Sequence, residues 1–385
     1  MKTIEIVAFD VPFPADYGGA IDVFHKIRAF RDMGLRVTLH CFVYSDRQRS
    51  AVLEDLCEKV FYYDRKMSPP SIFRFFFSKM PYIVASRADN LLLERLKNSE
   101  NPILMEGLHT TAFVETLRRA APHRKLLLRM HNVEWQYYAA LQKLEKSFFK
   151  RQYFRLESAR LRAWEQRVLP LFDHVFCIAP NDVAYFESNF SKNAPPPVFH
   201  HFPPFHEADL LENALGKGSF VLFHGKLSVS DNALSAQWLV ENVFSQLNFP
   251  CVIAGMNAPT ELKNLISRYE NILLVENPDA TKMRQLQRDA HVHALWSFQP
   301  SGMKLKLLNA VFSGRWVVGN SHILENTGLE NVCVLADDAK KYRAAIKSLL
   351  DISFDEKNKM ERAYQLKSQF YNHENIKKLI KIWTT

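Results

Sequence analysis

One stretch of the chain decides the fold: Ser297-Phe-Gln-Pro-Ser-Gly-Met-Lys-Leu-Lys-Leu-Leu-Asn-Ala-Val-Phe-Ser-Gly-Arg-Trp-Val-Val-Gly-Asn320. It follows the apolar run His293-Ala-Leu-Trp296, which is typical of a buried strand. Apolar residues at helical spacing then predict a helix over residues 303–313, and Gly314 stands where a C-cap glycine belongs. Trp316-Val-Val318 begins another strand. The order strand, glycine turn, helix, strand is that of an α/β domain.

The turn before this helix has the chemistry of an anion site. Gly302 allows backbone angles that other residues resist. The first amides and the dipole of a helix favour negative charge, and Lys304 and Lys306 add two cations to the predicted first turn. Lysines at this end of a helix oppose the dipole, so a bound anion explains them better. The stretch therefore predicts a site for a phosphate-bearing ligand, with the amides of Gly302 and Met303 facing it.

Length and composition predict a two-domain globular protein with acidic partners. The 385 residues suffice for two domains of ordinary size. A net charge of +9 favours nucleotide phosphates, anionic lipid or nucleic acid as partners. We find no run of 18 apolar residues and no signal peptide. The five scattered cysteines are typical of buried thiols in a reducing compartment, so we expect a cytoplasmic protein.

The beginning of the chain shows the same alternation as the deciding stretch. A predicted strand at residues 4–9 is followed by Gly18-Gly19, by a helix that ends at Gly34, and by a strand at residues 35–43. This is a βαβ unit whose first turn suits a phosphate group. It lacks the G-x-G-x-x-G pattern of dinucleotide-binding proteins, and Gly-Gly alone is a weak signal.

Polar residues follow two further predicted strands. One strand contains Glu106 and is followed by His109, and the other is followed by His131 and Asn132. In open parallel sheets, residues just beyond the carboxyl ends of strands line the ligand crevice. We therefore predict that His109, His131 and Asn132 contribute to a binding site, whereas Glu106 fits either a cleft position or a structural hydrogen bond.

A proline-rich segment separates the chain into two similar halves. The second half restarts with a strand at residues 219–223, followed by His224-Gly225-Lys226. We predict an N-terminal domain at residues 1–200, a linker at 201–218 and a C-terminal domain at 219–370. Residues 371–385 are amphipathic, and we predict a terminal helix that packs back on the first domain.

Two segments combine aromatic and basic residues: residues 72–87 and a long predicted helix at residues 137–169. The first is typical of core-packed helices, and the second of a solvated helical face. Both also fit a surface that touches an anionic membrane or a lipid-linked acceptor. We do not expect nucleic acid as a partner, because no nucleic-acid-binding motif accompanies the charge.

Four motifs, in order and with their spacing, carry a resemblance that covers nearly the whole chain. They are Pro14-Ala-Asp-Tyr-Gly18-Gly19, Met130-His131-Asn132-Val-Glu134, Phe223-His-Gly225-Lys226-Leu and Ser301-Gly302-Met-Lys-Leu-Lys306-Leu-Leu-Asn309-Ala. On these motifs the chain resembles the retaining glycosyltransferases of the GT-B fold, in the variety that makes bacterial surface polysaccharides. This is the large group 1 family that uses nucleotide-activated sugars.

The resemblance implies two Rossmann-like parallel-sheet domains that face each other across a cleft. It implies transfer of a hexose, with mannose as one candidate, from a UDP- or GDP-linked sugar to a glycolipid or polysaccharide acceptor, with retention and without a cofactor. Such an enzyme would work at the inner face of the membrane. Catalytic roles are implied for His109, Lys226 and Lys304. Donor binding is implied for Gly18, Gly19, Gly225, Ser301, Gly302, Met303, Lys306 and Asn309, and acceptor or cleft contacts for Glu106, His131 and Asn132.

We predict that no metal binds the diphosphate. Metal-dependent transferases use an Asp-x-Asp pair, which this sequence lacks. His291 and His293 lie two apart on a predicted strand, but no third ligand is near them in sequence. Lysines and backbone amides would then have to stabilise the leaving diphosphate, at roughly 1.5–3 kcal/mol for each charge-assisted hydrogen bond.

The last motif departs from the family pattern at two positions. Family members carry two glutamates eight residues apart, and here Ser301 and Asn309 stand in their places. Both side chains can hydrogen-bond hydroxyl groups, but neither can stabilise positive charge that develops on a sugar. This leaves two alternatives to an active transferase. One is a degenerate subunit that binds a sugar nucleotide or a partner enzyme, and the other is a sugar-nucleotide epimerase.

Overall fold

The computed structural model describes residues 2–44, 47–66, 79–145, 147–190, 197–207, 211, 213–299, 303–367 and 369–384. The aromatic residues 72–77 and the predicted site residues Ser301 and Gly302 lie outside these ranges. The chain forms two compact units. The first comprises Met1–Phe205 with Asn375–Thr385, and the second comprises His206–Glu374.

The first unit is built on a sheet of seven parallel strands in the order β3-β2-β1-β4-β5-β6-β7. Strands β4 and β5 are buried throughout, as expected for apolar runs at the centre of a parallel sheet. The strand order changes direction between β1 and β4, and ligands of such sheets bind beyond the carboxyl ends at this switch point. The strands are β1 (Thr3–Ala8), β2 (Arg36–Val43), β3 (Lys59–Asp64), β4 (Ile103–Glu106), β5 (Leu126–Met130), β6 (His174–Cys177) and β7 (Val198–His201).

The second unit is built on six parallel strands in the order β10-β9-β8-β11-β12-β13. Its switch point lies between β8 and β11, where Gly225-Lys226 and Trp296 follow the two strands. The predicted α/β class is thus confirmed in both units. The strands are β8 (Val221–His224), β9 (Cys251–Gly255), β10 (Ile272–Glu276), β11 (Val292–Leu295), β12 (Trp316–Gly319) and β13 (Val334–Leu335).

Helices connect the strands in both units, and none of those described combines the length and hydropathy needed to cross a bilayer. In the first unit they are α1 (Gly18–Asp32), α2 (Ala51–Leu56), α3 (Tyr82–Ala85), α4 (Asn90–Lys97), α5 (Val114–Ala120), α6 (Glu134–Leu144), α7 (Phe148–Val168) and α8 (Pro180–Phe190). In the second they are α9 (Ser230–Asn242), α10 (Thr260–Ile266), α11 (Ala280–Asp289), α12 (Leu305–Ser313), α13 (Ser321–Leu324), α14 (Ala339–Leu350) and α15 (Glu356–Lys367). The last helix is α16 (Asn372–Thr384).

The single long helix predicted over residues 137–169 is wrong in one respect, because the chain forms two helices there. Helix α6 ends before Glu145, whose backbone is extended, and the Glu145 carboxylate accepts a hydrogen bond from the amide of Ser147 (2.8 Å). The Ser158 hydroxyl donates to the carbonyl of Trp135 (2.8 Å), which fixes α6 and α7 as an antiparallel hairpin. Helical periodicity did not reveal this break, because no glycine or proline marks it.

The first unit extends beyond the predicted boundary at residue 200. Strand β7 pairs with β6 along its whole length, and Phe202 and Phe205 are buried in the same core. At the other end of the chain, Ile376, Leu379 and Trp383 of α16 pack into that core, with the rings of Trp383 and Phe30 5.3 Å apart. The proline-rich sequence around β7 resembles a linker, so its pairing with the sheet edge was not predicted.

Candidate functional site

In the second unit, Lys306 is held inside the protein at the start of α12. Its Nζ donates to the Oδ1 of Asn232 (3.0 Å) and to the carbonyl of Trp296 (3.0 Å), and it lies 5.2 Å from the centre of the Phe223 ring. Burial lowers the pKa of Lys306 to about 8, and Asp231 opposes this shift. Lys306 therefore carries its charge at neutral pH and can lose it just above.

Lys304 is the N-cap of α12 and has an extended backbone, so the helix starts two residues later than predicted. Burial lowers the pKa of Lys304, and Asp231 opposes this shift too. The Asp231 carboxylate accepts hydrogen bonds from the Ser297 hydroxyl (2.8 Å) and from the Phe298 amide (2.9 Å). The charge of Asp231 thus acts on both lysines, and two cations at the start of one helix favour an anion.

Two glycines allow β8, β9 and the start of α9 to approach closely. A Cβ on Gly255 would lie 1.8 Å from the carbonyl oxygen of Gly225, and a Cβ on Gly225 would lie 3.1 Å from the side chain of Asn232. The Asn232 amide donates to the carbonyl of Lys226 (3.1 Å) while its oxygen accepts from Lys306. Gly225 therefore leaves room for Asn232, whose side chain hydrogen-bonds both Lys226 and Lys306.

Two further residues of the second unit, Asn309 and Met303, were predicted to bind the nucleotide-sugar donor. Asn309 is half-buried on α12. Met303 packs against the apolar cluster formed by α12 and its neighbours.

His291 and His293 are fully buried, and their rings hydrogen-bond the carbonyls of Leu349 (2.8 Å) and Gln287 (2.9 Å), so they serve the core.

In the first unit, the predicted glycine turn lies against an aromatic ring. Gly18 is the first residue of α1, and a Cβ on Gly19 would lie 2.5 Å from Cζ of Phe9. The Phe9 ring also lies 5.2 Å from the ring of His109 and 5.4 Å from that of His131. Phe9 thus brings together three elements that carry predicted site residues, although the sequence presented it only as part of a strand.

Arg47 fixes the loop that precedes the glycine turn. It forms ion pairs with Asp10 (3.3 Å) and with Asp16 and donates to the carbonyls of Val11 (2.8 Å) and Pro14 (3.0 Å). The Tyr17 hydroxyl also donates a hydrogen bond to the carboxylate of Asp10 (2.9 Å). No sequence pattern connected Arg47 to this loop, because its hydrogen-bond partners Val11, Pro14 and Asp16 lie 31 to 36 residues before it.

Five ionisable side chains form a buried network beneath this region. Asp22 contacts Lys26 (3.0 Å) and Arg129 (3.0 Å), and Glu106 contacts Lys26 (2.7 Å) and His131 (3.2 Å). Burial raises the pKa of Asp22, but the charges of Arg129 and Lys26 outweigh it and hold that pKa well below its usual range. In the same way, Lys26 keeps the pKa of Glu106 low in spite of burial.

This network also decides how the predicted cleft residues can act. Glu106 is fully buried and paired, so it positions His131 and does not itself reach a ligand. The His131 side chain is 12% exposed and is accessible. The ligand atoms of Asp22, Glu106 and His131 lie within 4.8 Å of one another, as in a metal site. The Lys26 ammonium already stands between the two carboxylates, so the residues do not fit a metal ion.

His109 lies in a short 3-10 turn, Leu108–Thr110, directly after β4. Gly107 before it has a φ of +73°, and a Cβ there would lie 2.9 Å from the Nδ1 of His109. That Nδ1 is buried and has no hydrogen-bond partner within the described ranges. Burial, Arg87 and His131 lower the pKa of His109 well below its usual value, so the imidazole is neutral at pH 7. Asn132 follows His131 and is half-buried.

Comparisons with known proteins agree with the sequence resemblance. A family model described as "Glycosyl transferases group 1" matches residues 218–351. An "Uncharacterized 44.6 kDa protein in cps region" of Klebsiella pneumoniae is 26% identical over 393 residues, which cover 96% of this chain and 98% of that protein.

Solved structures share the fold over the whole chain. HepE from Anabaena, in complex with UDP and glucose, has a TM-score of 0.66 at 11% identity and is matched over 100% of both chains. A glycosyltransferase from Rickettsia africae has a TM-score of 0.65 at 12% identity, over 99% of this chain and 97% of that one. These similarities confirm the predicted fold.

We predict that Asp22→Asn destabilises the protein by about 3–5 kcal/mol at pH 7, because it leaves a buried cation without its partner. The pKa of Asp22 is lower in the folded than in the unfolded state. The contribution of this carboxylate is therefore present above about pH 4 and is lost as the pH falls further. Urea unfolding from pH 7 to pH 3 tests this, with the exposed Asp351→Asn as control. A variant as stable as the wild type at pH 7 would contradict it.

We also predict that anion binding to the second unit weakens between pH 7 and pH 9, as Lys306 loses its proton. Sulfate is a suitable probe, because its own charge is constant over this range. Calorimetric titration should show several-fold weaker binding at pH 9. Lys306→Met should bind weakly at both pH values, with a smaller change between them. Equal pH dependence in the variant and the wild type would exclude Lys306 from the site.

Proposed function

Because the chain has the GT-B fold and its second unit is a glycosyltransferase domain of the group 1 family, we propose that it transfers a hexose from a UDP- or GDP-linked sugar. The proposed acceptor is a lipid-linked or polysaccharide glycan, and the reaction proceeds with retention and without a metal. The relative from the Klebsiella cps region supports a role in polysaccharide biosynthesis. The observation that carries the proposal is the pair Lys304 and Lys306 beside the switch point of the second sheet.

The donor diphosphate suits these two lysines. A leaving diphosphate gains negative charge in the transition state, and cations fixed in advance stabilise that charge without reorganising. Lys306 is fixed by Asn232 and Trp296, and Lys304 begins the same helix. Removing one such donor typically raises a barrier by about 2.7–4 kcal/mol, or 10²–10³ in turnover.

The other predicted residues fit supporting roles in the same reaction. A neutral His109 can accept or donate a hydrogen bond to a sugar hydroxyl without adding a second positive charge near an oxocarbenium-like centre. Asn309 offers an amide for the ribose of the nucleotide. Lys226 follows the glycine at the end of β8, and its carbonyl is held by Asn232. A degenerate, non-catalytic subunit remains the competing function, since Asn309 replaces a glutamate of the family motif.

The deciding experiment is a donor screen followed by a turnover assay with one variant. Incubation with UDP-, GDP- and dTDP-sugars in the presence of EDTA should raise the melting temperature for one nucleotide class, since a ligand of the native state stabilises it. Lys304→Ala should keep the fold and lower turnover 10²–10³-fold, and the exposed Lys340→Ala should not change it. Unchanged turnover in Lys304→Ala would remove this residue from the mechanism. Donor binding without turnover of any acceptor would favour the degenerate subunit.

We further propose that the enzyme contacts an anionic membrane through the first turns of α7. Phe149 is 84% exposed and Phe148 is 59% exposed. Leu156, also exposed, lies seven residues after Phe149 and so shares its helix face. Residues 148–156 include Lys150, Arg151 and Arg155 but no carboxylate. We call these six residues the basic aromatic surface: Phe148, Phe149, Lys150, Arg151, Arg155 and Leu156.

Charge complementarity selects lipid as the occupant of this surface. A second copy of the chain would bring like charges together, which disfavours a symmetric dimer. An anionic bilayer attracts each lysine or arginine near it by about 1 kcal/mol and accepts exposed aromatic rings at the interface. The lipid-linked acceptor of the proposed reaction would be found there.

Flotation of the full chain with phosphatidylglycerol-containing vesicles tests this contact. We expect binding that 0.5 M salt reverses and that Phe149→Ser weakens several-fold, because it removes the most exposed ring. The matched control is Leu91→Ser on α4, which is 58% exposed outside this surface. Equal flotation of both variants, or no salt-sensitive flotation of the wild type, would contradict the proposal.

A further inference from the structure

Two arginines of the first unit meet at the carboxyl end of β1 without taking part in the proposed donor chemistry. Arg87 donates to the carbonyl of Phe9, the residue after β1 (2.6 Å), and to the carbonyl of Ile83 (2.8 Å). Arg65 follows β3, and its Nε donates to the hydroxyl of Ser86, the neighbour of Arg87 (3.2 Å). The two guanidinium groups are close enough that the charge of Arg65 lowers the pKa of Arg87.

Neither guanidinium has a carboxylate within ion-pair distance in the part of the chain that the structure describes. Arg87 is only 4% exposed, and a buried charge without a counterion is costly. Asp10 influences the pKa of Arg87, but Arg47 and Tyr17 already occupy that carboxylate. Burial also raises the pKa of the neighbouring Glu134 to about 8, so this carboxyl group is mostly neutral at pH 7.

The surroundings of the pair favour an oxyanion that can accept several hydrogen bonds. The Arg65 guanidinium lies 4.7 Å from the centre of the Tyr44 ring and 5.9 Å from that of Tyr82, which orients its plane. Its two terminal nitrogens have no hydrogen-bond acceptor among the described residues. Oriented guanidinium groups bind phosphate oxygens in pairs, which a lysine cannot do.

His109 lies in the same region as the two arginines. The ring of Phe9 lies 5.2 Å from that of His109, and Arg87 donates to the carbonyl of the same Phe9 (2.6 Å). Burial, followed by the charges of Arg87 and Arg65, lowers the pKa of His109. Its Nδ1 is the buried atom without a partner described above. Together these groups stand beyond the carboxyl ends of β1 and β4, at the switch point where sheets of this kind bind ligands.

We infer that Arg65, Arg87 and His109 form an anion-binding subsite of the first unit, and that it takes a phosphate group of the acceptor. This inference rests on the proposed transferase function, in which the second-unit lysines bind the donor diphosphate. The acceptor class is therefore a phosphorylated glycan. Its phosphate is either that of a free sugar phosphate or the pyrophosphate of a lipid-linked saccharide.

The test is a titration of the full chain saturated with its donor nucleotide, so that the second-unit site is filled. Inorganic phosphate and inorganic pyrophosphate serve as probes. We expect Arg65→Gln to weaken their binding tenfold or more, and Arg65→Lys to restore only part of it, because lysine keeps the charge but loses the paired geometry. The exposed Arg49→Gln, nearby in sequence, is the matched control and should bind like the wild type. Arg87→Gln should behave like Arg65→Gln if it folds.

Two results would overturn the inference. One is wild-type affinity for both probes in Arg65→Gln. The other is an equal loss of nucleotide affinity in Arg65→Gln, which would assign the arginines to the donor. If all variants still bind the nucleotide, a negative result for the phosphate subsite leaves the proposed donor site unaffected. Comparing a hexose phosphate with a short-chain polyprenyl pyrophosphate saccharide as acceptors then identifies the source, since the preferred one should lose turnover tenfold in Arg65→Gln.

Discussion

The first unit depends on the ion pairs and hydrogen bonds of the buried Asp22 carboxylate. This carboxylate is removed from water and is stable there only because Lys26, Arg129 and the amide of Phe205 (2.7 Å) surround it. These partners come from α1, β5 and the end of the unit's main segment, so one side chain connects parts that are far apart in sequence. Arg129 adds the carbonyls of Phe202 (2.6 Å) and Pro203 (3.0 Å) to the same network. The network reaches the surface at His131, so the position of a predicted site residue depends on the stability of the core.

In the second unit, the charge of a buried lysine is only partly neutralised. Lys306 is bound by the neutral oxygens of Asn232 and Trp296, and the nearby Asp231 is engaged by Ser297 and Phe298. Its charge is held in place but only partly compensated, and burial lowers the pKa of this lysine. A negatively charged ligand would supply the missing compensation. The first unit neutralises its buried charges around Asp22, whereas the second holds Lys304 and Lys306 together at the start of α12.

Part of the site could be predicted because it follows local rules. Glycines before helices, lysines in a helix start and histidines after apolar runs all have short-range signatures, and these led to Lys306, Gly225, His109 and His131. Asp231, Asn232, Arg47 and Arg65 were missed, although each contacts a predicted region. Their roles arise from contacts over tens of residues, for which a single sequence contains no periodic signal. Glu106 was ambiguous for the same reason, since only the position of Lys26 shows that it is paired.

The sequence by itself determined the alternation of strands and helices, the two parallel sheets and which segments we propose to face a phosphate. Those features depend on the order of apolar runs and turn residues, which is written along the chain. Only the tertiary structure decided that β7 completes the first sheet, that the end of α16 belongs with it, and which charged groups neutralise each other. Charges interact through space and according to burial. Whether a lysine or arginine is a structural partner or an anion-binding group is therefore settled by what folds next to it, and not by its neighbours in sequence.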